Sequence, residues 1–321
     1  MGLAASRAKI AKLATAVLRL DCKGVAKKAL LASQQWHPHA RDFPMHELRG
    51  KMALVTGAAS GIGRAIALRL AAEGVHLFLV DINEIGLRNV ADEARQAGVE
   101  AIGRRCDVAE PREISAAVAE ILSRWGGVDL LVNNAGITYY GRTEQMSAEH
   151  WDKLIRVNLL SHLQFTRELL PSLLARPEAH VLNVCSMFGL VGMPKLAAYS
   201  TTKFAMVGFS DALRAEYGRE GLGVTALCPG FVDTNLFTSA PLSESKRTPK
   251  IPPAIFCTTA EKVAGAAVKA IHRDRRMVII SPWAKLLVTA KRLVPGMVDL
   301  LFHLGRRKRV ARKTTERKRA A

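Results

Sequence analysis

Tyr199-Ser200-Thr201-Thr202-Lys203 places a phenol and an ammonium four residues apart, so on a helix they share one face and can enter one site. A cation beside a phenol favours the phenolate and draws its pKa down from about 10, which makes proton transfer near neutrality feasible. Ser186 stands 13 residues upstream at the end of an apolar run, where its hydroxyl can reach the same pocket. The Tyr–Lys spacing alone also occurs in ordinary surface pairs. A second stretch is Thr56-Gly57-Ala58-Ala59-Ser60-Gly61-Ile62-Gly63, between an apolar run and a helix-length segment. Glycines there permit a tight turn and let the backbone approach a pyrophosphate, whose charge meets free N–H groups at a helix N-terminus. The spacing is GxxxGxG rather than GxGxxG, and such a turn can be a plain strand-to-helix connection. Its place at the first strand–helix junction favours the nucleotide reading. Asp81 ends the second apolar run, 24 positions after Gly57. A carboxylate there accepts from both adenosine ribose hydroxyls and repels a 2′-phosphate, although a helix N-cap is the other use for it. With Ile82 next and Ser60 where a basic residue would hold a phosphate, NAD is expected ahead of NADP.

Such groups need rigid elements behind them. Met52–Thr56, His76–Asp81, Ala101–Cys106, Leu130–Asn133, Val181–Cys185, Val224–Cys228 and Met277–Ser281 read as buried strands. Gly63–Glu73, Glu84–Ala97, Arg112–Trp125 and the stretch from Tyr199 to Arg214 read as helices between them. This alternation predicts an α/β fold: one Rossmann-like, doubly wound parallel sheet with helices on both faces. Ile10, Leu13, Ala14, Val17 and Leu18 mark a basic amphipathic N-terminal helix, and residues 34–48 a linker. His37 and His39 lack a third ligand, so no metal is expected. Residues 235–257, with Pro241, Pro249, Pro252 and Pro253, form a long insertion of the kind that serves as a functional flap. Trp283, Leu286, Leu287, Ala290, Leu293 and Val294 mark a C-terminal amphipathic helix, broken at Pro295-Gly296 and followed by an apolar 297–304 segment and a basic tail. The resulting divisions are 1–49 (extension and linker), 50–282 (catalytic domain), 283–304 (C-terminal helical segment) and 305–321 (disordered tail).

Composition narrows the function. With 321 residues, 49% hydrophobic and 23% charged, the chain can bury a sizeable core and is neither disordered nor fibrous. The net charge of +19 is uneven. Residues 1–51 carry ten Lys/Arg against three Asp/Glu and residues 305–321 nine against one, which leaves +4 for the body. Basic ends on a near-neutral body suit an anionic membrane surface or simple solubility better than nucleic-acid binding, which favours a charged folded face. No apolar run is long enough for a transmembrane helix, and Lys9, Lys12 and Arg19 interrupt any signal-peptide core. Five scattered cysteines without a CxxC pair point to a reducing, cytoplasmic compartment, with peripheral membrane association through the ends.

Taken together, these residues resemble the short-chain dehydrogenase/reductase superfamily. The resemblance covers roughly residues 50–282 and rests on Thr56–Gly63, Asp107-Val108, Asn133-Asn134-Ala135-Gly136, Asn158, Ser186, Tyr199 with Lys203, and Pro229-Gly230 with Thr234. It implies that Tyr199 is the general acid/base, and that Lys203 holds the nicotinamide ribose and lowers the Tyr199 pKa. Ser186 would bond the substrate oxygen, and Asn158 would anchor a water leading from Lys203 to solvent. Gly57, Ser60, Gly61, Ile62 and Gly63 would hold the pyrophosphate, Asp81 the adenosine ribose, and Asp107 and Val108 the adenine. Asn134, with Ala135 and Gly136, would line the cofactor ribose side, and Pro229, Gly230, Val232 and Thr234 the nicotinamide. Homodimers or homotetramers are implied, through the helices around Trp151–Leu170 and Ala205–Arg219.

Substrate choice falls to the 187–196 loop, the 235–257 insertion and the C-terminal helix. Met187, Phe188, Leu190, Val191, Met193 and Leu196 favour a hydrophobic alcohol or ketone, unless they pack the core instead. The expected activity is hydride transfer between NAD and such a substrate. A 3-oxoacyl thioester reductase is the second reading, and a non-catalytic dinucleotide-binding scaffold with membrane- or RNA-binding tails the third. A complete Asn158–Ser186–Tyr199–Lys203 relay argues against the third.

Overall fold

The computed structural model describes residues 45–234, 236 and 257–296. The strands are β1 (Met52–Thr56), β2 (His76–Asp81), β3 (Ala101–Arg105), β4 (Leu130–Asn133), β5 (Ala179–Val184), β6 (Leu222–Pro229), β7 (Phe231–Val232), β8 (Cys257–Thr258) and β9 (Met277–Ile280). Seven of them form one parallel sheet in the order β3-β2-β1-β4-β5-β6-β9. The order reverses between β1 and β4. In an open α/β sheet a crevice opens at such a switch, beyond the carboxyl ends of the strands.

Alternation along the strands explains the two layers of helices. Ala53, Val55, Leu77 and Leu79 enter one core, with Ile66 and Leu70 of α1 (Gly61–Ala72), Val90 of α2 (Glu84–Arg95) and Val263 and Ile271 of α7 (Ala260–His272). Leu54, Phe78 and Val80, one residue out of step, enter the other. There they meet Ile114 and Ile121 of α3 (Pro111–Trp125), Phe165 and Leu169 of α5 (Ser161–Leu174) and Leu213 of α6 (Ala197–Tyr217). Successive side chains of a strand point to opposite faces, so a sheet buried on both sides needs apolar residues at every position. β5 and β6 are buried along their whole lengths, with His180, Asn183 and Thr225 as the polar exceptions among their side chains.

The strands fall where the apolar runs placed them, with β5 and β6 each starting two residues earlier than expected. α4 (Ala148–Ile155) is capped by Ser147, whose hydroxyl accepts from His150 N at 3.3 Å. A π-turn at Arg156–Leu160 joins it to α5. The short parallel pair β7–β8 was not expected; Asp233 N donates to Thr258 O at 3.0 Å beside it. α8 (Pro282–Leu293) follows β9, as the amphipathic pattern led one to expect. Ala284 and Val288 are the residues that face inward, while Leu286 and Leu293 are exposed. The N-terminal helix, the His37/His39 pair, most of the 235–257 insertion, the 297–304 segment and the basic tail lie outside the described residues.

Candidate active site

The glycine turn is built by contact with the strand next to β1. Gly57 has φ +63°, a conformation L side chains rarely adopt. A β-carbon on Gly63 would stand 2.0 Å from Gly57 O, so only glycine lets α1 start this close to the turn. Thr56 locks the junction: its Oγ1 accepts from Asn134 N at 2.8 Å and from Ala135 N at 3.0 Å. Asn134 Nδ2 donates back to Thr56 O at 2.9 Å and Gly57 O at 3.1 Å. Asn134 therefore ties the end of β4 to the phosphate turn through its amide nitrogen while also lining the cavity. α1 opens with no capping bond from Ser60 and no acid in its first turn, which leaves an anion-favouring N-terminus.

Asp81 stands at the adenosine end of the crevice. Its two oxygens accept from Ala59 N and Asn83 N, each at 3.0 Å, which fixes the carboxylate and leaves lone pairs for hydroxyl donors. Asp107 Oδ1 accepts from Ala109 N at 2.9 Å in the loop after β3. Asn133 is buried behind, donating to Thr166 Oγ1 and Asn183 Oδ1, and is structural.

Ser186, Tyr199 and Lys203 meet at the carboxyl ends of β5 and β6. Tyr199 and Lys203 are one turn apart on α6 and nearly buried, with Lys203 Nζ 5.7 Å from the phenol ring centre. Nζ donates to Val184 O at 2.8 Å. Burial pushes the Tyr199 phenol above its ordinary value, and the bond from Ser186 draws it back only in part. Burial also lowers the Lys203 ammonium. Asn158 lies in the π-turn, a device frequent at functional sites. Its Oδ1 accepts from Ile137 N and its Nδ2 donates to Ile137 O, both at 2.8 Å. The side chain thus clamps the chain leaving β4 beside Gly136, whose absent β-carbon would stand 3.6 Å from Asn158 Oδ1 and 3.8 Å from Lys203 Nζ.

One cavity of about 640 Å³ joins these parts. Every catalytic and cofactor residue nominated from the sequence lines it except Gly63 and Asn158, which brace it from behind. Pro229, Gly230, Val232 and Thr234 form its far wall, where Thr234 Cγ2 lies 3.4 Å from the β-carbon position of Gly61. Of the apolar 187–196 loop only Phe188 lines it; Met187 and Leu196 pack beside Tyr199 and Phe188 in the core. The glycine cradle, open helix N-terminus and fixed Asp81 fit a dinucleotide.

Sequence reasoning missed several contributors. Thr56 and His162 are the clearest: His162 Nε2 lies 2.8 Å from Ala135 O and is held near a pKa of about 3 by burial and by Lys203. Thr138, Tyr139, His150, Lys153, Leu154 and Val157 line the substrate side of the cavity. The helical spacing of 150, 154 and 157, running into Asn158, was the available signal. Cys185 also lines the cavity. A bond with Cys228 and the charge of Lys203 draw its thiol down, while burial opposes them. The same contact and burial push Cys228 up.

The model of the short chain dehydrogenases matches residues 51–245. The chain belongs to that family. Among its relatives, the ketoacyl reductase HetN of a Nostoc species is 31% identical over 264 residues, covering 80% of this chain and 90% of the relative. A short chain dehydrogenase/reductase from Burkholderia phymatum, solved in complex with NAD, matches with a TM-score of 0.69 at 30% identity, covering 77% of this chain and 95% of that one. An alcohol dehydrogenase from Thermococcus sibiricus, solved with 5-hydroxy-NADP, matches with a TM-score of 0.64 at 29% identity, covering 72% and 96%. This dehydrogenase is therefore an oxidoreductase on a Rossmann-like scaffold of the NAD(P)-binding kind.

Proposed function

We propose that the protein interconverts a carbonyl and a secondary alcohol on an apolar substrate, with NAD as the preferred cofactor. The observation that carries this reading is the buried Ser186–Tyr199–Lys203 cluster opening into a cavity whose remaining wall holds Phe188, Leu154, Val157 and Leu236. The bound dinucleotide supplies the hydride. Tyr199 donates its phenol proton to the carbonyl oxygen in reduction, leaving the phenolate, and in oxidation the phenolate takes the alcohol proton. The Ser186 hydroxyl shares that oxygen and stabilises the charge developing on it. Lys203, pinned by Val184 O, fixes the cationic edge of the site and holds the ribose hydroxyls. Gly57, Ser60, Gly61 and Ile62 hold the pyrophosphate with Gly63 bracing the turn, and Asp81 takes the adenosine ribose. The absence of a cation next to Asp81 in sequence supports NAD, although relatives of both cofactor types share the fold.

A second reading, reduction of a 3-oxoacyl thioester, stands about level because the Nostoc relative is named a ketoacyl reductase. One panel separates them: turnover of hydrophobic ketones and of 3-oxoacyl thioesters, each with NADH and NADPH. Faster turnover of ketones with NADH supports the first reading. Thioester turnover at least tenfold faster than any ketone replaces it with the second. Silence with every pair sinks both.

A further inference from the structure

We propose that the outward face of α8 docks this protein on an anionic lipid surface. The inner face of α8 is accounted for: Ala284 is buried in the apolar cluster of Met187, Phe188 and Tyr199. The outer face is the anomaly. Leu286 is 59% exposed and Leu293 76%, and Val294 at 49% continues the ridge. Leu286 and Leu293 are seven residues apart, two helical turns, so they stand on one line. A helix that only served its own core would turn these leucines inward.

Charge supplies the second half of the argument. Lys285 and Arg292 run beside the ridge at the same seven-residue spacing, and α8 contains no acidic residue. The nearby carboxylate of Asp211 is held by two bonds from Arg276, each at 2.9 Å. From Pro282 to Ala321 the chain carries twelve Lys/Arg against two Asp/Glu, and Val298, Leu300, Leu301, Phe302 and Leu304 come between the helix and nine of those cations. Leucines flanked by cations are what an anionic membrane interface binds, through apolar insertion and attraction to headgroups together. A polyribonucleotide would use the charge and leave the leucines without a role. A second copy would use the leucines but bring two cationic faces together across a symmetric contact. Docking through α8 would also set the Tyr199 cavity, which shares a cluster with Ala284, beside the phase that dissolves apolar substrates.

The test mixes the full chain with phosphatidylcholine vesicles, with and without phosphatidylglycerol, followed by sedimentation. The expected result is binding only to the anionic vesicles, weakening as salt rises. Leu286→Ser/Leu293→Ser is expected to lower the partition about tenfold while circular dichroism and NADH titration stay unchanged. If that variant fails to fold, Lys285→Glu/Arg292→Glu carries the test, with a similar loss expected. No binding by the wild type overturns the proposal, as does binding that the folded variants retain in full. So does a native mass showing that the leucines hold a dimer while vesicles are ignored.

Discussion

Two buried polar clusters occupy opposite ends of the same strands. At the carboxyl ends of β5 and β6 stand Ser186, Tyr199 and Lys203, with His162 behind them. Near the entry ends, His180 Nε2 meets Thr225 Oγ1 at 2.9 Å, and Arg214 grips both oxygens of Asp274 at 2.6 and 2.7 Å. Both clusters hold a cation, a hydroxyl and a fully buried histidine. Both histidines are driven to a pKa of about 3 by burial and by a nearby cation, Lys203 for His162 and Arg214 for His180. The difference is space. Arg214 spends its fork on Asp274 and on Val224 O, whereas Lys203 and Tyr199 open into the cavity. Perturbed titration marks a desolvated charge; it becomes chemistry only where an unfilled volume adjoins it.

The comparison can be broken by substitution at either end. Tyr199→Phe is expected to cut turnover about a thousandfold with NADH affinity retained, as read by steady-state kinetics and fluorescence titration. Asp274→Ala is expected to leave turnover per folded molecule intact but to lower stability by about 3 kcal/mol in urea unfolding, because it strands Arg214. Loss of turnover in that variant would erase the distinction between the clusters. The histidines predict a shared pH response. Each is neutral in the fold and would take up a proton near pH 6.5 once exposed, so the unfolded chain binds protons first on acidification. Their stabilisation is complete above about pH 6.5 and fades toward pH 3, at up to about 1.4 kcal/mol per pH unit for each. A urea midpoint unchanged across that window would refute the burial argument for both. The smallest effect lies at the adenosine end. Asp81→Ser is expected to shift the ratio of NADPH to NADH affinity about tenfold toward NADPH, since it removes the like charge opposing a 2′-phosphate.

The sheet was legible because burial on both faces forces unbroken apolar runs, and the cavity's cofactor half was legible because glycines and an acid sit at fixed junctions. The substrate half was less so. Phe188 was read among six apolar loop residues, yet only tertiary packing separates it from Met187 and Leu196, which turn into the core. Thr56 was quoted at the head of the glycine turn without a role of its own, since that role depends on β4 lying beside β1, contacts 76 to 79 residues away. The dryness around Tyr199 was not legible either, because spacing reports that a cation is near and says nothing of burial. α8 was legible as a helix but its orientation was not, for an apolar stripe does not say whether a core, a partner or a lipid covers it.

The short pair β7–β8 has an architectural consequence. Phe231↔Cys257 and Val232↔Thr258 set the two ends of a 24-residue stretch, 233–256, side by side. Once its ends are pinned, the entropic penalty of closing a loop rises by only about 0.6 kcal/mol per doubling of length. Thr234 and Leu236 tie the near end of that stretch to the cavity wall. Changes of length or sequence are therefore cheapest beyond Leu236, where they leave the sheet and the Tyr199 cluster as they are, and new specificity is most economically grafted between Leu236 and Cys257.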